Sequence, residues 1–206
     1  YFRTAFSETS KFIAVDCAFG YGSATSDQDA LALVNWGFAA LKGCKGRYGG
    51  KDVFNYHNYI EQSLDSTVYV LEEDCDLRYA AWRRAEKRGP YQASTVHEGI
   101  YVVRVGGTYE SDAGPCVQEQ GDATKRCKSW GLGANFDASG ALSGIGEGSA
   151  AWDYPVHTGV YTDNWFERCT FTGGSAPMYA YSESTTKLKD CNFSGAFLGP
   201  GEIEPY

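Results

Sequence analysis

Residues 164–197, "NWFERCTFTGGSAPMYAYSESTTKLKDCNFSGAF", contain one short motif twice. The segment Glu-Arg-Cys-Thr-Phe-Thr-Gly-Gly returns as Lys-Asp-Cys-Asn-Phe-Ser-Gly-Ala, which puts Cys169 and Cys191 22 residues apart. Each copy has the character of a short β-strand and ends in small residues that suit a turn. The repeat therefore predicts two neighbouring parallel strands, with the Cα atoms of the two cysteines about one strand spacing, near 5 Å, apart.

Charges offer a test of this register. If the copies pair side by side, Glu167 lies beside Lys189 and Arg168 lies beside Asp190 on the opposite face. Both pairs are opposite in sign, as neighbouring strands favour. Strand alternation through the whole first copy also predicts four side chains on one face: Trp165, Glu167, Cys169 and Phe171.

Short strands with glycine corners at this spacing resemble the rungs of right-handed parallel β-helix proteins, the pectin-lyase-like superfamily. The resemblance rests on "FERCTFTGG…LKDCNFSGA" and covers about 35 of the 206 residues. It implies a short parallel solenoid, and it implies no catalysis because no catalytic motif of the family can be matched here. An antiparallel pair in a β-sandwich also accounts for the repeat, so both architectures stay open.

Two helices are predicted in the first 90 residues. Ser26 is placed to cap the first helix and Gly43 to end it. The apolar residues between them recur at helical spacing: Ala30, Leu33, Val34, Gly37, Phe38 and Leu41. The second helix runs over 71–89, with acidic residues at its start and basic residues at its end. The predicted fold class is therefore α+β, mainly β, with two helices packed on a sheet and a β-repeat region after them.

The chain is predicted to be a single domain over residues 1–206, with three tentative parts. Residues 1–110 form the α+β part, 111–148 a loop-rich segment with a short strand near Phe136, and 149–206 the β-repeat part.

A net charge of −8 argues against a nucleic-acid partner, because no positive field attracts phosphates. No apolar run is long enough to span a membrane. Seven cysteines without a Cys-x-x-Cys pair, together with a glycosylation acceptor at Asn192, favour a secreted or other oxidising lumenal compartment. The candidate disulfide cysteines are Cys116 and Cys127, which bracket a polar loop, and the repeated pair Cys169 and Cys191.

Aromatic and acidic residues alternate in the segment 150–165. Aromatic faces stack on sugar C–H surfaces and carboxylates accept hydroxyl protons, so this patch is a candidate carbohydrate site. Its two aspartates could also serve as an acid/base pair. The same aromatic residues are equally compatible with the core and rim of a β-fold. The candidate residues are Trp152, Asp153, Tyr154, His157, Tyr161, Asp163 and Trp165.

Metal chemistry has weaker support. His57, His97 and His157 lie far apart in the sequence, with no spacing typical of a zinc site. The acidic composition leaves room for calcium, but no loop has the calcium ligand pattern. No cofactor is therefore expected.

The predicted function is a non-catalytic structural or interaction subunit of a larger extracellular or lumenal assembly. Two rungs cannot bury their own ends, so other protein chains or further copies are the expected partners. The tail "FLGPGEIEPY" is expected to bury Phe197, Leu198 and Ile203 against its own domain or a neighbouring chain, and we favour the neighbouring chain. The alternative is a secreted carbohydrate-binding or carbohydrate-cleaving protein that uses the 150–165 patch.

Overall fold

The structure is a computed structural model. It describes the residues of the following segments: 2–5, 11–20, 31–34, 37–47, 54–57, 68–79, 94–96, 99–111, 116–119, 121–138, 156–158, 161–174 and 176–206.

All regular secondary structure in these segments is β-strand. The strands are β1 Phe2–Ala5, β2 Lys11–Val15, β3 Ala18–Gly20, β4 Leu31–Val34, β5 Phe38–Lys42, β6 Lys45–Arg47, β7 Phe54–His57, β8 Val68–Glu73, β9 Asp76–Tyr79, β10 Ser94–Val96, β11 Ile100–Val105, β12 Thr108–Ser111, β13 Val117–Glu119, β14 Cys127–Leu132, β15 Asn135–Ala138, β16 Val156–Thr158, β17 Thr162–Glu167, β18 Thr170–Gly173, β19 Met178–Ala180, β20 Thr185–Lys189 and β21 Glu202–Pro205.

These strands form three parallel sheets that the chain visits in turn. Sheet A has the order β1-β4-β7-β10-β13-β16-β19, sheet B the order β2-β5-β8-β11-β14-β17-β20-β21, and sheet C the order β18-β15-β12-β9-β6-β3. The first six coils add one strand to each sheet, after which β19 joins sheet A and β20 and β21 join sheet B; neighbouring strands in a sheet come from successive coils. The fold is therefore a parallel β-solenoid with three faces.

Side chains alternate strictly between the interior and the solvent on the longer strands of sheet B. In β11, β14 and β17 every second residue is buried and the intervening ones are half-buried. Because a strand has a side-chain period of two, the inward residues of successive coils stack in columns. The core lies along the axis of the solenoid, between the three sheets.

A single residue turns the chain from sheet B into sheet C in each coil. That residue has a positive φ at every such corner: Asp16, Gly43, Asp74, Gly106, Gly133, Arg168 and Asp190. Glycine, aspartate and asparagine enter this left-handed region most readily. The corner residue donates its N–H to the next coil, as Asp74 N does to Val105 O at 2.8 Å, and the second residue after it donates to the preceding coil, as Asp76 N does to Cys44 O at 2.9 Å.

Aromatic rings stack through the core of sheet C. The ring centroids of Tyr109 and Phe136 are 5.2 Å apart, and those of Phe136 and Phe171 are 5.4 Å apart, with nearly parallel planes in both pairs. The three rings come from successive coils, so they form one column.

A charged network lies in the middle of the same core. Arg104 is fully buried, and its Nε donates to Glu72 Oε2 at 3.1 Å while Nη1 donates to Glu119 Oε1 at 2.7 Å. The hydroxyls of Tyr56 and Tyr109 donate to the two oxygens of Glu72 at 2.6 and 2.8 Å. Burial opposes the charge of Arg104, but Glu72 and Glu119 hold its pKa above the ordinary value. The network joins all three sheets.

The C-terminal tail closes the solenoid on its own chain. β21 pairs in parallel with β20, and Phe197 and Ile203 pack against the core, whereas Leu198 is exposed. The expectation that the tail packs on a neighbouring chain is wrong, because Ile203 continues the inward column of Thr186 and so has an apolar place in its own fold.

The repeat prediction is confirmed in its register. β17 and β20 are parallel, and Glu167 pairs with Lys189 in register, with an ion pair of 3.7 Å. Asn192 N donates to Cys169 O at 2.8 Å, which places the two cysteines on adjacent coils. A sandwich of antiparallel strands is excluded for this region.

The prediction that each copy is one uninterrupted strand is wrong. The positive φ of Arg168 divides the first copy into β17 and β18, so Trp165 and Glu167 point outward whereas Cys169 and Phe171 are buried. The turn resets the side-chain alternation.

The α+β class with two N-terminal helices is also wrong. Residues 31–34 and 38–42 of the first predicted helix are strands β4 and β5, and residues 71–79 of the second contribute to β8 and β9. Apolar residues from two separate strands imitate helical spacing; among those whose burial is described, the inward ones are Leu31, Ala39 and Leu41. Residues 80–89 lie outside the described residues.

The expected short strand near Phe136 is present as β15. The segment 111–148, for which the sequence favours loops, also contains β13 and β14. The division of the chain into one domain with three parts stays a prediction.

Candidate binding face on sheet B

The outward side of sheet B is the broadest outer face that the described strands form, and we call it the B face. Its residues occupy three rows that run along the solenoid axis. They are Lys11, Phe38, Tyr69, Tyr101, Lys128, Asp163, Thr185 and Glu202 in the first row; Ile13, Ala40, Leu71, Val103, Trp130, Trp165, Lys187 and Glu204 in the second; and Val15, Lys42, Glu73, Val105, Leu132, Glu167 and Lys189 in the third.

The first four coils make the B face apolar. Ile13 is 66% exposed, Val15 55% and Tyr69 50%. The outward residues of β11 between them and the later coils are aromatic or β-branched as well: Tyr101, Val103 and Val105. Lys11, Lys42 and Glu73 interrupt these rows, but most outward residues of the four coils are apolar, and clustered exposed apolar residues are typical of interaction sites. This part of the B face has the character of an interaction surface.

Four aromatic rings form a ladder across the middle of the B face. The ring centroids of Tyr69 and Tyr101 are 5.6 Å apart and those of Tyr101 and Trp130 are 6.1 Å apart, both with edge contacts. Trp130 and Trp165 stack face to face at 5.0 Å with an angle of 8° between their planes. Each indole therefore covers one face of the other.

The charges of the B face cancel. Lysines and carboxylates occur in equal numbers among its residues: Lys11, Lys42, Lys128, Lys187 and Lys189 against Glu73, Asp163, Glu167, Glu202 and Glu204. Several are paired, as in Lys42–Glu73 at 2.8 Å and Lys189–Glu167 at 3.7 Å. Lys128 Nζ lies 5.0 Å from the ring centroid of Tyr101. On a chain with a net charge of −8, this face is electrically balanced.

Asp163 is held as a carboxylate by Arg126. The guanidinium donates to both carboxylate oxygens, at 2.9 and 2.5 Å, and Thr185 Oγ1 donates to Oδ1 at 3.0 Å. The hydrogen bond from Arg126 lowers the pKa of Asp163 against the opposing effect of burial. A carboxylate kept ionised in this way is a poor general acid, because it has no proton to donate near neutral pH.

The predicted carbohydrate patch is only partly within the described residues. Trp152, Asp153 and Tyr154 lie outside them, and for His157 the structure places the backbone on β16 of sheet A. Tyr161 is half-buried at the corner before sheet B, with a φ of 55°. Asp163 and Trp165 do lie together on the B face, in neighbouring rows.

Sequence reasoning missed Tyr69, Tyr101 and Trp130 as neighbours of Trp165. A signal existed in the distance of each residue from its corner. Trp130 and Trp165 both stand three positions before a corner residue, at Gly133 and Arg168, and Tyr69 and Tyr101 both stand five positions before one. Aligning the strands on their corners would have found the ladder.

All seven cysteines lie within the described residues, and the structure joins no two of them in a disulfide. Cys116 and Cys127 are buried, and burial raises the pKa of Cys116 well above its ordinary value. Cys169 and Cys191 occupy successive coils. Asn192 is exposed beside them, as a glycosylation acceptor must be, and both its glycosylation and the disulfides stay predictions.

No three metal-binding side chains converge within the described part of the chain. His57 and His157 stand on β7 and β16 with β10 and β13 between them, three strand spacings or about 14 Å apart, and His97 lies outside the described residues. Calcium binding stays untested. Within the described segments there is no helix of the length and apolar character that a membrane crossing needs.

Comparison of the chain with protein-family models, with curated proteins and with solved structures finds no match. The function is therefore inferred from the geometry of the B face.

Proposed function

We propose that this chain is a non-catalytic interaction subunit that assembles with a second copy of itself through the B face. The observation that carries the proposal is the B face itself, apolar and charge-balanced on an acidic protein. Two copies that each carry a net charge of −8 repel one another in most orientations. They approach at least electrostatic cost where each presents a neutral surface.

The shape of the B face supports the same partner. It is the outer side of a sheet of eight parallel strands, and sheets pack face to face about 10 Å apart when their facing side chains are apolar. Isologous pairs, in which the same surface is used by both copies, are the most frequent form of homo-oligomer. The aromatic ladder would lie inside such an interface, where tyrosine and tryptophan contribute most to binding.

Stacking of copies end to end is disfavoured at the C-terminal end. There the edge strand of sheet B is β21, which carries Glu202, Glu204 and Pro205. Charges and proline on an edge strand oppose the addition of a further strand, because proline lacks the donor and the charges would be desolvated. Assembly through the side of the solenoid avoids this obstacle.

We also propose that the chain is a member of the pectin-lyase-like superfamily and that it is secreted or lumenal. The coils support membership of the pectin-lyase-like superfamily, in which the solenoid is right-handed, as crossovers between parallel strands nearly always are. An exposed Asn192 and the cysteine content support a secreted or lumenal location. The ion-paired Asp163 supports a protein without glycosidase chemistry.

Light scattering tests the assembly. At micromolar concentration the protein should be heavier than its 22.5 kDa monomer. Val103→Lys, which places an unpaired charge at the centre of the B face, should return it to the monomer. Thr172→Lys, on an exposed outward position of sheet C, should leave the assembly intact. A monomeric wild-type protein, or equal effects of the two lysines, would exclude the B face as the interface.

A polysaccharide ligand is the second candidate. It is supported by the position of Trp165 beside Trp130 and Asp163 on an outer face of the solenoid. It ranks second because each indole covers one face of the other and Arg126 already occupies the carboxylate. Binding on a glycan array that is lost in Trp165→Ala, but kept in Tyr179→Ala on sheet A, would favour this function. Absence of binding to any glycan would remove it.

A further inference from the structure

Cys169 and Cys191 occupy the same corner position in successive coils of the solenoid. Each follows a residue of positive φ, Arg168 or Asp190, and Asn192 N donates to Cys169 O at 2.8 Å. Neighbouring residues of parallel strands have Cα atoms about 4.8 Å apart. This separation lies within the range of about 4.4–6.8 Å that a disulfide bridges. The backbone therefore already has the spacing that a bond between the two sulfurs requires.

The two thiols differ in their surroundings. Cys169 is fully buried, whereas Cys191 is partly exposed because sheet C ends at β18 and only Asn192 continues it by a bridge. The thiols form a hydrogen bond with each other, which lowers the pKa of Cys191 to about 7 against the opposing effect of burial. The same hydrogen bond and burial raise the pKa of Cys169. Cys191 is thus the more accessible sulfur of the two and Cys169 the more protected one.

We propose that Cys169 and Cys191 form a redox-active pair, in which Cys191 attacks a low-molecular-weight disulfide and Cys169 resolves the product. This activity is separate from assembly through the B face.

The reaction proceeds by two thiol–disulfide exchanges. The Cys191 thiolate attacks one sulfur of the disulfide, forms a mixed disulfide and releases the first thiolate. Cys169 then gives up its proton and attacks the Cys191 sulfur, which forms the bond between the coils and releases the second thiolate. Two protein thiols are oxidised, one external disulfide is reduced to two thiols, and the two protons taken from the protein end on the released thiolates.

The other cysteines in successive coils provide an internal comparison. Cys44 and Cys75 are also neighbours, but both are fully buried and burial raises the pKa of both. Cys17 is exposed beside Cys44, and its thiol donates to Val15 O at 3.3 Å. Cys17 and Cys44 thus repeat the arrangement of one exposed and one buried cysteine on successive coils, so a test of the C-terminal pair must remove Cys17.

Intact-mass measurement after treatment with glutathione disulfide tests the proposal. The full chain carrying Cys17→Ser, which removes the exposed competitor, should lose two hydrogens without unfolding. Trypsin should then release peptides 169–187 and 190–206 as one cross-linked species, since both begin after a basic residue. Reduction should separate them.

Single substitutions assign the roles. In the Cys17→Ser chain, Cys169→Ala should stop the reaction at the mixed disulfide, with a gain of one glutathionyl group, and should raise the pH midpoint of Cys191 alkylation from about 7. Cys191→Ala should leave the folded chain unmodified. A cross-link between other cysteines, a wild-type chain that stops at the mixed disulfide, or no reaction at all would overturn the proposal.

Discussion

Arg104 sits in the core with both of its carboxylate partners buried beside it. Glu119 keeps one oxygen, Oε2, without a hydrogen-bond partner among the described residues, so the arginine is its main compensation. Burying charges is costly, and a network of this kind stabilises a fold only while every partner is present. It does specify which strands meet, because its members come from all three sheets.

Arg104→Met should therefore destabilise the protein strongly. The change leaves Glu72 and Glu119 buried without their cation, which costs about 3–5 kcal/mol of unfolding free energy. Lys45→Met, at an exposed position of sheet C, should change it by less than about 0.5 kcal/mol. Urea unfolding of the three proteins measures both values. A cost below about 1 kcal/mol for Arg104→Met would contradict the dependence of the two buried carboxylates on this cation.

The ion pair of Asp163 should make part of the stability depend on pH. Its pKa lies below the ordinary value of 3.8 in the folded protein, so the stabilisation is complete above that pH and is lost as the pH falls through the folded pKa. The difference in unfolding free energy between wild type and Asp163→Asn should accordingly be constant near neutral pH and should shrink under acid conditions. A difference that persists unchanged in acid would contradict the assigned pairing with Arg126.

At the scale of the single element, the corners between sheets B and C explain the chain's aspartates and glycines. The carboxylate of Asp74 lies over Gly106 of the next coil, where a Cβ atom would collide with it. Gly133 has a similar φ, 65° against 62°, but no atom of the described structure lies within 4 Å of the place its Cβ would take. The two corners are thus a matched pair.

Gly106→Ala should destabilise the protein more than Gly133→Ala. In both variants alanine must adopt the left-handed conformation, which costs about 1–2 kcal/mol. Only in Gly106→Ala must the new methyl group also displace the Asp74 carboxylate. In the double variant Asp74→Ala/Gly106→Ala the extra cost should vanish, which a double-mutant cycle measures as coupling between the two sites. Equal costs for the two single variants would mean that the carboxylate moves aside freely.

These corners also show why the sequence predicted one part of the fold and not the rest. The last two corners, Arg168 and Asp190, are 22 residues apart, which is the shortest spacing between successive corners. With so few residues in the coil, the similar sequences around the two corners are easy to recognise as a repeat. Gly133 and Arg168 are 35 residues apart because longer connections intervene between strands. Because the number of residues per coil varies, the repeat has no fixed period that a sequence pattern could show. The strands in these coils were therefore predicted as helices or loops.

The candidate site, like the fold, was predicted from the sequence only in part. Asp163 and Trp165 were found because they lie close together in the sequence. Tyr69, Tyr101 and Trp130 come from other coils, and only the parallel register brings them to the same face. The stacking of Trp130 on Trp165, which covers one face of each ring, is likewise information that no sequence pattern carries.

At the scale of the whole molecule, a solenoid has two ends that its own coils do not cover. At the C-terminal end of this one, β21 ends sheet B, and Ile203 and Phe197 cover the last inward columns. Tyr206 N donates to Leu188 O at 3.0 Å, so the final residue is held on the edge as well. The tail thus has two separable tasks, which are to cover the core and to present an edge that resists pairing.

Truncation of the chain after Gly195 should convert the protein into an aggregating species. The truncation leaves β20 as the edge strand: Lys187 and Lys189 still give it charge, but it lacks the proline of β21, and the core beside it loses the cover of Phe197 and Ile203, so edge and core are open to other chains. Light scattering should show growth without a fixed size, unlike the defined species expected from the B face. Adding Val103→Lys should not prevent this growth, because the edge and the B face are different surfaces.

Ile203→Ala in the full chain serves as the control. Ile203 is only partly buried, so the change should lower the unfolding free energy by less than the about 2–5 kcal/mol that a fully buried isoleucine loses. Because β21 still forms the edge, the variant should be less stable but should not grow. If the truncated protein stays at a fixed size, the edge of β20 is protected by something other than β21.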